Sequence, residues 1–579
     1  MVSWADPDGH AVLARLGSAT LAPDPPVHES PDIVALLEGE FRLTEDGEAA
    51  ERMVHSPVQV ARLYERHGER FAEAMAGWFT SVVFDRNASR LVISNDRFGT
   101  RPLYYHHDGE RLIFASNTRM ITALGRLQPQ HDRVALAEFL RYQQLLDDRS
   151  LFEEIKLLPP GSRLIFALDS NELRLESYWK LWDVPLDQPI SWQEAVEHGT
   201  FLTRRAVRRS FSGQHRFGVY LSGGLDSRLI VGALGPEARG LPVLNYGVTW
   251  GSDVIFARQV ARVAHLDYHH VAPEHPGWTR DFVRFYTRVS FSPHHYFNGA
   301  NVAVAPFAAE LFDVNLSGVV GDCILGDPAE SYEIMHTAHD RDSALCGVDG
   351  YFTRGHMNPG TIDSENAHQL LTPEWAATLD EVALGSMAQV MDCFDAPWDR
   401  RADLVYMHTR ARRGLFNLLH CERSSVENRP VFYDYDLVDF MFSLPFPYRI
   451  NRRLHTAILN RVTPRLAWVR TAGENVPPLQ NKTVVKLFHW WNRLQGMAHR
   501  SCRWIPDVPS KEISQWPYYT RTDSAGWIEE LLLNPSAHIT SFVRQDGIRA
   551  LLKQQQAGDE TASWILAELA TLELFLELG

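Results

Sequence analysis

Cysteine is scarce and scattered. The 579-residue chain holds five, Cys323, Cys346, Cys393, Cys421 and Cys502, with no Cys-x-x-Cys pair. That spacing excludes a zinc ribbon and a disulfide framework, and it fits a reducing, cytoplasmic setting. No apolar run approaches the length that spans a bilayer, so no membrane segment is expected. The stretch from 1 to 17 is interrupted by Asp6, Asp8, His10 and Arg15, so no signal peptide is expected either. Positive charge is in deficit: 57 Lys and Arg against 72 Asp and Glu give a net charge of −15, which argues against a nonspecific nucleic-acid binder and leaves room only for a local basic patch. Lysine is absent between Lys180 and Lys482. Repeats and low-complexity tracts are absent too. What remains, 45% apolar and 22% charged residues, is ordinary for a globular chain long enough for two or more domains.

The chain is organised around Leu221-Ser222-Gly223-Gly224-Leu225-Asp226-Ser227. An apolar run from Phe217 to Leu221 reads as a buried strand, and Arg228 to Leu234 opens a helix. Strand, glycine turn and helix make an anion site, because the free N–H groups of the first helical turn point outward and the helix dipole favours negative charge. Gly223 and Gly224 admit a phosphate close to the backbone. Ser222 and Ser227 add hydroxyl donors, and Asp226 suits a magnesium ion. No Gly-Lys-Ser/Thr follows, so this is not a Walker loop.

Around it, Ala195 to Ser210 and Asp253 to His265 are amphipathic helices. Leu241 to Val248, Tyr268 to Val271 and Asp313 to Leu316 are short buried strands. Alternating strands and helices imply a parallel sheet with ligands at its carboxyl ends, which makes Tyr246 and Gly247 a candidate adenine wall. The adjacent pairs His269-His270 and His294-His295 point in opposite directions and do not suit shared metal ligation. From 1 to 180 short alternating runs dominate: Phe79 to Phe84, Arg90 to Ser94, Pro102 to His106 and Arg111 to Ala115. Helical patterns at Ser56 to Met75 and Asp132 to Tyr142 accompany them, as in an α+β domain with antiparallel sheet. From 481 to 579 helical patterns recur, and they either cover a site or extend a helical core. Trp490, Trp491 and Trp564 read as core residues there.

The Ser-Gly-Gly-Leu-Asp-Ser loop resembles the pyrophosphate loop of the asparagine synthetase family. Ser317-Gly318-Val319-Val320-Gly321-Asp322 resembles that family's second nucleotide loop, with Val320 where its second glycine stands and Gly321 one place late. Glu427-Asn428-Arg429-Pro430-Val431-Phe432-Tyr433-Asp434, with Arg423 before it, resembles its acidic segment. Gly77-Trp78-Phe79, Asn95 to Tyr105, Phe114 to Asn117 and Leu158-Pro159-Pro160-Gly161 resemble its glutaminase domain. The resemblance implies a 1–180 glutamine-amidotransferase-like (Ntn-type) antiparallel αββα domain without activity. A 190–480 adenine-nucleotide α-hydrolase-like (PP-loop ATPase) parallel-sheet synthetase domain and a 481–579 helical extension would follow.

The family's glutaminase attacks with an N-terminal cysteine. Here Val2 follows Met1, no cysteine precedes Cys323, and Glu38-Gly39 replaces the expected Asn-Gly of the oxyanion hole. Ser3 is a nucleophile only if the chain is cut before it. The resemblance further implies ATP and Mg2+ as cofactors. ATP would bind on residues 221 to 227, Tyr246, Gly247, Ser317, Gly318 and Gly321, with magnesium on Asp226 and Asp322. Glu427 would be the catalytic base. A basic residue would replace the family's lysine: Arg452 and Arg453 first, with Arg449, Lys482 and Lys486 as other candidates.

The expected reaction is adenylation of a small-molecule or peptide carboxylate and its capture by an amine other than glutamine-derived ammonia. That logic is similar to the β-lactam synthetases and lasso-peptide cyclases. The alternatives are an ammonia-dependent asparagine synthetase and a non-catalytic nucleotide-binding scaffold. A homodimer is compatible with all three. Val319, in place of the family's glutamate, implies that aspartate is not the acid.

Overall fold

The computed structural model describes residues 2–5, 12–15, 27–44, 51–272, 280–295, 299–326, 338–353, 360–501 and 525–577. Its first strands, β1 (Val2–Ala5) and β2 (Val12–Arg15), form an antiparallel hairpin ladder. Next come β3 (Val27–Glu29), β4 (Ile33–Leu43), β5 (Met75–Asp85) and β6 (Arg90–Asn95). A smaller sheet takes β7 (Tyr104–His107), β8 (Leu112–Ala115) and β9 (Lys156–Leu157), and the domain closes with β10 (Ser162–Ala167) and β11 (Glu172–Ser177). The larger sheet is six-stranded and antiparallel in the order β11-β10-β6-β5-β4-β3, and the smaller runs β8-β7-β9.

Alternation along β5 shows why this sheet is covered twice. Phe79 and Val83 face the helix Pro57–His67, whose Val60, Ala61 and Tyr64 complete one core. Val82 and Phe84 face the other way and pack with Leu103, Leu158 and Phe166. Ser56 caps the helix by accepting from the Gln59 N–H, and Gly68 ends it at φ +58°.

The second unit is a five-stranded parallel sheet in the order β14-β13-β12-β15-β16. Its strands are β12 (Phe217–Tyr220), β13 (Pro242–Tyr246), β14 (Asp267–Val271), β15 (Val314–Ser317) and β16 (Glu427–Pro430). The chain winds outward from β12 to β14, then returns to the far side of β12 to lay down β15 and β16. The topological switch point therefore lies between β12 and β15. Each sequence-predicted strand and helix of this region is present within three residues of its expected ends.

The C-terminal helices divide: Lys482–Ser501 brings Val485 to the cleft that Asp226 and Asp322 line, and the last helices extend a helical core. Helix Glu560–Glu577 is buried almost all round; it packs on Gln545–Ala557, Ala525–Leu532 and Arg280–Val289 and shares one core with Arg133–Tyr142, Pro373–Asp392 and Trp398–Tyr406. Trp564 packs against this core, as expected. Trp490 and Trp491 do not: they stand 59% and 55% exposed on helix Lys482–Ser501, which turns Val485 and Phe488 inward instead. Their tryptophan identity suggested burial, but the helix has apolar residues on both faces and only one is covered. Cys502, and Asp327 and Glu330, the acids next in sequence that could stand in for the one missing at Val319, lie outside the described residues.

Candidate functional site

The glycine loop leaves β12 at the switch point and enters helix Asp226–Leu234. Its shape is held from below. Ser227 Oγ accepts from the Ser222 N–H at 3.0 Å, Ser222 Oγ accepts from the Gly224 N–H at 3.2 Å, and Asp253 Oδ1 accepts from the Gly223 N–H at 2.8 Å. Asn245 on β13 donates to the Leu221 carbonyl at 2.8 Å and to Asp253 Oδ2 at 2.9 Å, so one Asn–Asp pair buttresses the turn. Arg228 is fully buried and donates to the carbonyls of Gly223, Val469 and Arg470 at 3.1, 2.6 and 2.8 Å. Burial pulls its pKa down to about 10, yet it remains charged at neutral pH and clamps the loop to the 466–472 segment. A Cβ at Gly223 would stand 3.0 Å from the Asp253 carbonyl and 3.1 Å from the Ala472 methyl, so the close approach there needs glycine.

The second loop leaves β15 beside the first. Gly321 N–H donates to the Gly318 carbonyl at 3.1 Å, closing a turn with Val320 at φ +62°. A β-branched residue in that region is strained by about 1–3 kcal/mol. Val320 tolerates it because its side chain is buried in the sheet core. The left-handed conformation thus falls where the resemblance puts a glycine, and the displaced Gly321 serves a different purpose. A Cβ there would lie 2.5 Å from Asp226 Oδ1 and 2.6 Å from the Phe432 ring. Gly321→Ala is therefore expected to push the Asp226 carboxylate aside. Overpacking should cost about 1–3 kcal/mol of stability, and magnesium-dependent ATP binding, read by calorimetry, should weaken about tenfold or more. Unchanged binding in a folded variant would show that Asp226 need not stand where it does.

Asp226, Asp322 and Arg452 line one cleft of about 350 Å³ with Gly224, Leu225 and Thr456. Asp226 Oδ1 is buried without a hydrogen-bond partner and lies 3.6 Å from His455 Nε2. Burial, then the negative charge of Asp322, push the Asp226 carboxyl well above the usual range against the pull of Arg452. His455 is fully buried, neither ring nitrogen has a partner, and burial with the charge of Arg452 holds its pKa down at about 3. It is a neutral neighbour. Two carboxylates in one cleft, one with an orphaned buried oxygen, fit a hard divalent cation that also takes phosphate oxygens. Asp226 and Asp322 would hold it.

The other expected residues divide between the cleft and the rest of the fold. Arg452 faces the cleft at the start of helix Arg453–Val462. Arg453 does not: it donates to the Pro447 carbonyl at 3.0 Å and lies over the Trp192 ring. The helix begins between the two residues and sends consecutive side chains to different faces. Arg449 is paired with Asp403 at 3.2 Å and donates to the Cys323 carbonyl, and Lys482 and Lys486 are exposed. Tyr246 and Gly247 stand at the carboxyl end of β13, with Gly247 at φ +136°.

Glu427 is the chief correction. It pairs in register with Val314, at the amino end of the sheet, whereas both loops leave the carboxyl ends. Its carboxylate bonds Arg101 at 2.6 Å and Arg423 at 3.3 Å. Burial would raise its pKa, but the two guanidinium groups outweigh that and hold it at about 2. A carboxylate so held is a poor base. Asn245, Asp253, Arg228 and His455 were missed from sequence; only Asp253, opening a helix after a strand, gave a local signal.

The N-terminal counterpart is filled by ion pairs. Gly39, inside β4 and opposite Phe79, has φ +94° and the Trp78 carbonyl 1.9 Å from where a Cβ would be, so this strand position takes glycine alone. Glu38 beside it bonds Arg423 at 2.6 Å, and despite burial Arg423 and Arg101 hold its pKa at about 2. Asp96 is buried and accepts from the N–H groups of Phe79, Phe98 and Thr100 and from the Thr100 hydroxyl, which makes it a turn staple.

Comparison with known proteins agrees with this two-part construction. Residues 43–179 match the glutamine amidotransferase domain family, and residues 201–467 match the asparagine synthase family. The first match begins after Glu38-Gly39. Among curated relatives, asparagine synthetase [glutamine-hydrolyzing] 2 of Bacillus subtilis (strain 168) is 27% identical over 223 residues, covering 37% of this chain and 30% of that one. The putative asparagine synthetase [glutamine-hydrolyzing] 2 of Methanocaldococcus jannaschii is 29% identical over 178 residues, covering 30% and 34%. Amidase chry2 of Gibberella zeae is 28% identical over 176 residues, covering 30% and 25%. The matched regions thus span about a third of the relatives' length or less.

Proposed function

We propose that this chain, a glutamine amidotransferase-type domain followed by an asparagine synthase domain, is an ATP-dependent ligase that adenylates a carboxylate and passes the acyl group to an amine. The supporting observation is the meeting of two loops at one switch point, with Asp226, Asp322 and Arg452 in the cleft between them. The substrate carboxylate attacks the α-phosphorus of ATP, pyrophosphate leaves, and an amine then displaces AMP to form the amide. The N–H groups of the first turn of helix Asp226–Leu234 and the hydroxyls of Ser222 and Ser227 hold phosphate oxygens, and Tyr246 and Gly247 flank the adenine. Arg452 offsets the charge that develops on the departing pyrophosphate, in place of a lysine. Magnesium, held by Asp226 and Asp322, would supply Lewis-acid charge on the phosphate oxygens. The acid is a small molecule or peptide other than aspartate, because Val319 puts an apolar side chain where the family has an acid. The test is pyrophosphate release from magnesium ATP with a panel of acids and amines. Release that needs an acid supports the reading, and none with any acid, although ATP binds, favours a scaffold.

The N-terminal domain serves as a scaffold in this proposal. Purified protein is expected to release no glutamate from glutamine, with or without ATP. No cysteine precedes Cys323, and the carboxylate of Glu38, held anionic, opposes an oxyanion where donors are needed. Glutamate above the enzyme-free rate would overturn this.

A further inference from the structure

Helix Lys482–Ser501 carries three stripes of side chains at helical spacing. The first faces the protein. Val485 lines the nucleotide cleft, the Arg470 guanidinium lies 5.5 Å from the centre of the Phe488 ring, and Asn492 Nδ2 donates to the Asn475 carbonyl at 3.0 Å. The second stripe faces outward. Leu487, Trp490, Trp491 and Leu494 follow one another at i, i+3, i+4 and i+7, and the first three are 59%, 59% and 55% exposed. Lys482, Lys486, His489 and Arg493 form the third, and all four are exposed. Three stripes share the circumference of one helix, so the cations border the outward apolar stripe. The charge here runs against that of the chain. Net charge is −15, yet residues 482–501 hold no aspartate or glutamate. None of Lys482, Lys486 and Arg493 has an acidic partner among the described residues. No side chain from 482 to 498 is fully buried, so the helix stands on the surface as a ridge and lines no groove on its outer side. A protein segment docks best in a groove. A ridge with a tryptophan and leucine crest and a cationic border fits the boundary of a bilayer, where tryptophan rings settle at head-group level and Lys and Arg meet anionic head groups.

We propose that this ridge docks the protein on an anionic membrane surface, with Leu487, Trp490 and Trp491 in the head-group boundary and Lys482, Lys486 and Arg493 on lipid phosphates. The helix lies on the bilayer and does not span it. The test is cosedimentation of the full chain, without nucleotide, with phosphatidylcholine vesicles and with phosphatidylcholine vesicles that also contain phosphatidylglycerol. Expected is binding to the anionic vesicles about tenfold or more tighter than to the neutral ones. It should weaken with added salt, as the Debye length falls from about 10 Å at 0.1 M to about 3 Å at 1 M. Trp490→Ser with Trp491→Ser should weaken it about tenfold or more. Lys482→Gln, Lys486→Gln and Arg493→Gln together should weaken it about a hundredfold, at about fivefold for each cation. Neither set should lower the melting temperature, because all these side chains are exposed. No binding to either vesicle, equal binding to both, or wild-type binding by either folded variant would overturn the proposal. So would dimerisation without lipid that the tryptophan variant abolishes, which assigns the stripe to a second copy of the chain. Binding of polyglutamate more tightly than of the vesicles would assign the ridge to an acidic protein and overturn it too.

Discussion

Asp226→Asn is expected to lose magnesium-dependent pyrophosphate release by about a hundredfold or more, and to make the metal-free protein more stable. The first effect follows from removing one of the two anionic groups placed to hold a cation at the phosphates; loss of one preorganised electrostatic contact commonly costs about 3–4 kcal/mol of barrier. The second follows from the same geometry. Oδ1 is buried without a partner, and Asp322 lies in the same cleft, so the folded protein resists the Asp226 charge. Its folded pKa lies above the unfolded value of about 3.9. Between those two values the native state binds more protons than the unfolded one. The contribution of Asp226 to stability is therefore full at low pH and is lost as pH rises through the folded pKa. Asparagine removes that loss, so the melting temperature of the variant should exceed wild type at pH 8 without metal. Magnesium ATP should raise the melting temperature of wild type far more than that of the variant. Wild-type turnover in a folded variant would break the cation assignment. A variant less stable than metal-free wild type would show that the carboxylate has a structural partner.

The two loops were legible in sequence because their signal is local. An apolar strand, adjacent glycines and a helix start fall within a dozen residues around Gly223, and sheet order follows from the winding rules once the strands are found. Glycine displacement in the second loop looked like damage, yet Val320 adopts the left-handed turn and Gly321 makes room for Asp226. Burial, not residue type, decided that. Partners distant in sequence were not legible at all. Arg228 closes on carbonyls some 240 residues away, and His455 reaches Asp226 from a helix whose own pattern shows only amphipathic packing. Glu427 misled for the same reason: its neighbour Arg101 belongs to the other domain, 326 residues earlier. A motif match names a residue, but only the assembled fold names the charge beside it.

That charge gives Glu427 a testable role of its own. Arg101 is 5% and Glu427 2% exposed, and the pair joins a cross-domain network in which Arg423 bridges Glu38 and Glu427 and Arg429 grips Glu40 with two bonds of 2.8 and 2.6 Å. Removing one partner of such a pair strands the other charge out of water and costs about 3–5 kcal/mol. Glu427→Gln is accordingly expected to unfold at markedly lower denaturant concentration than wild type, while the protein that remains folded keeps pyrophosphate release. Glu427→Met combined with Arg101→Met should recover much of the loss, because replacing both charges leaves no orphan. The pH dependence has a definite sign. The Glu427 pKa is held at about 2 in the folded protein, below its unfolded value of about 4.3. Its stabilisation is present above that unfolded value and fades as pH falls towards 2, a loss Glu427→Gln should no longer show. Were Glu427 instead the catalytic base, the glutamine variant would melt like wild type and lose turnover. The two roles are separated by measuring denaturant midpoint and turnover on the same preparation, since an ionic strut between domains moves the first and a base moves only the second.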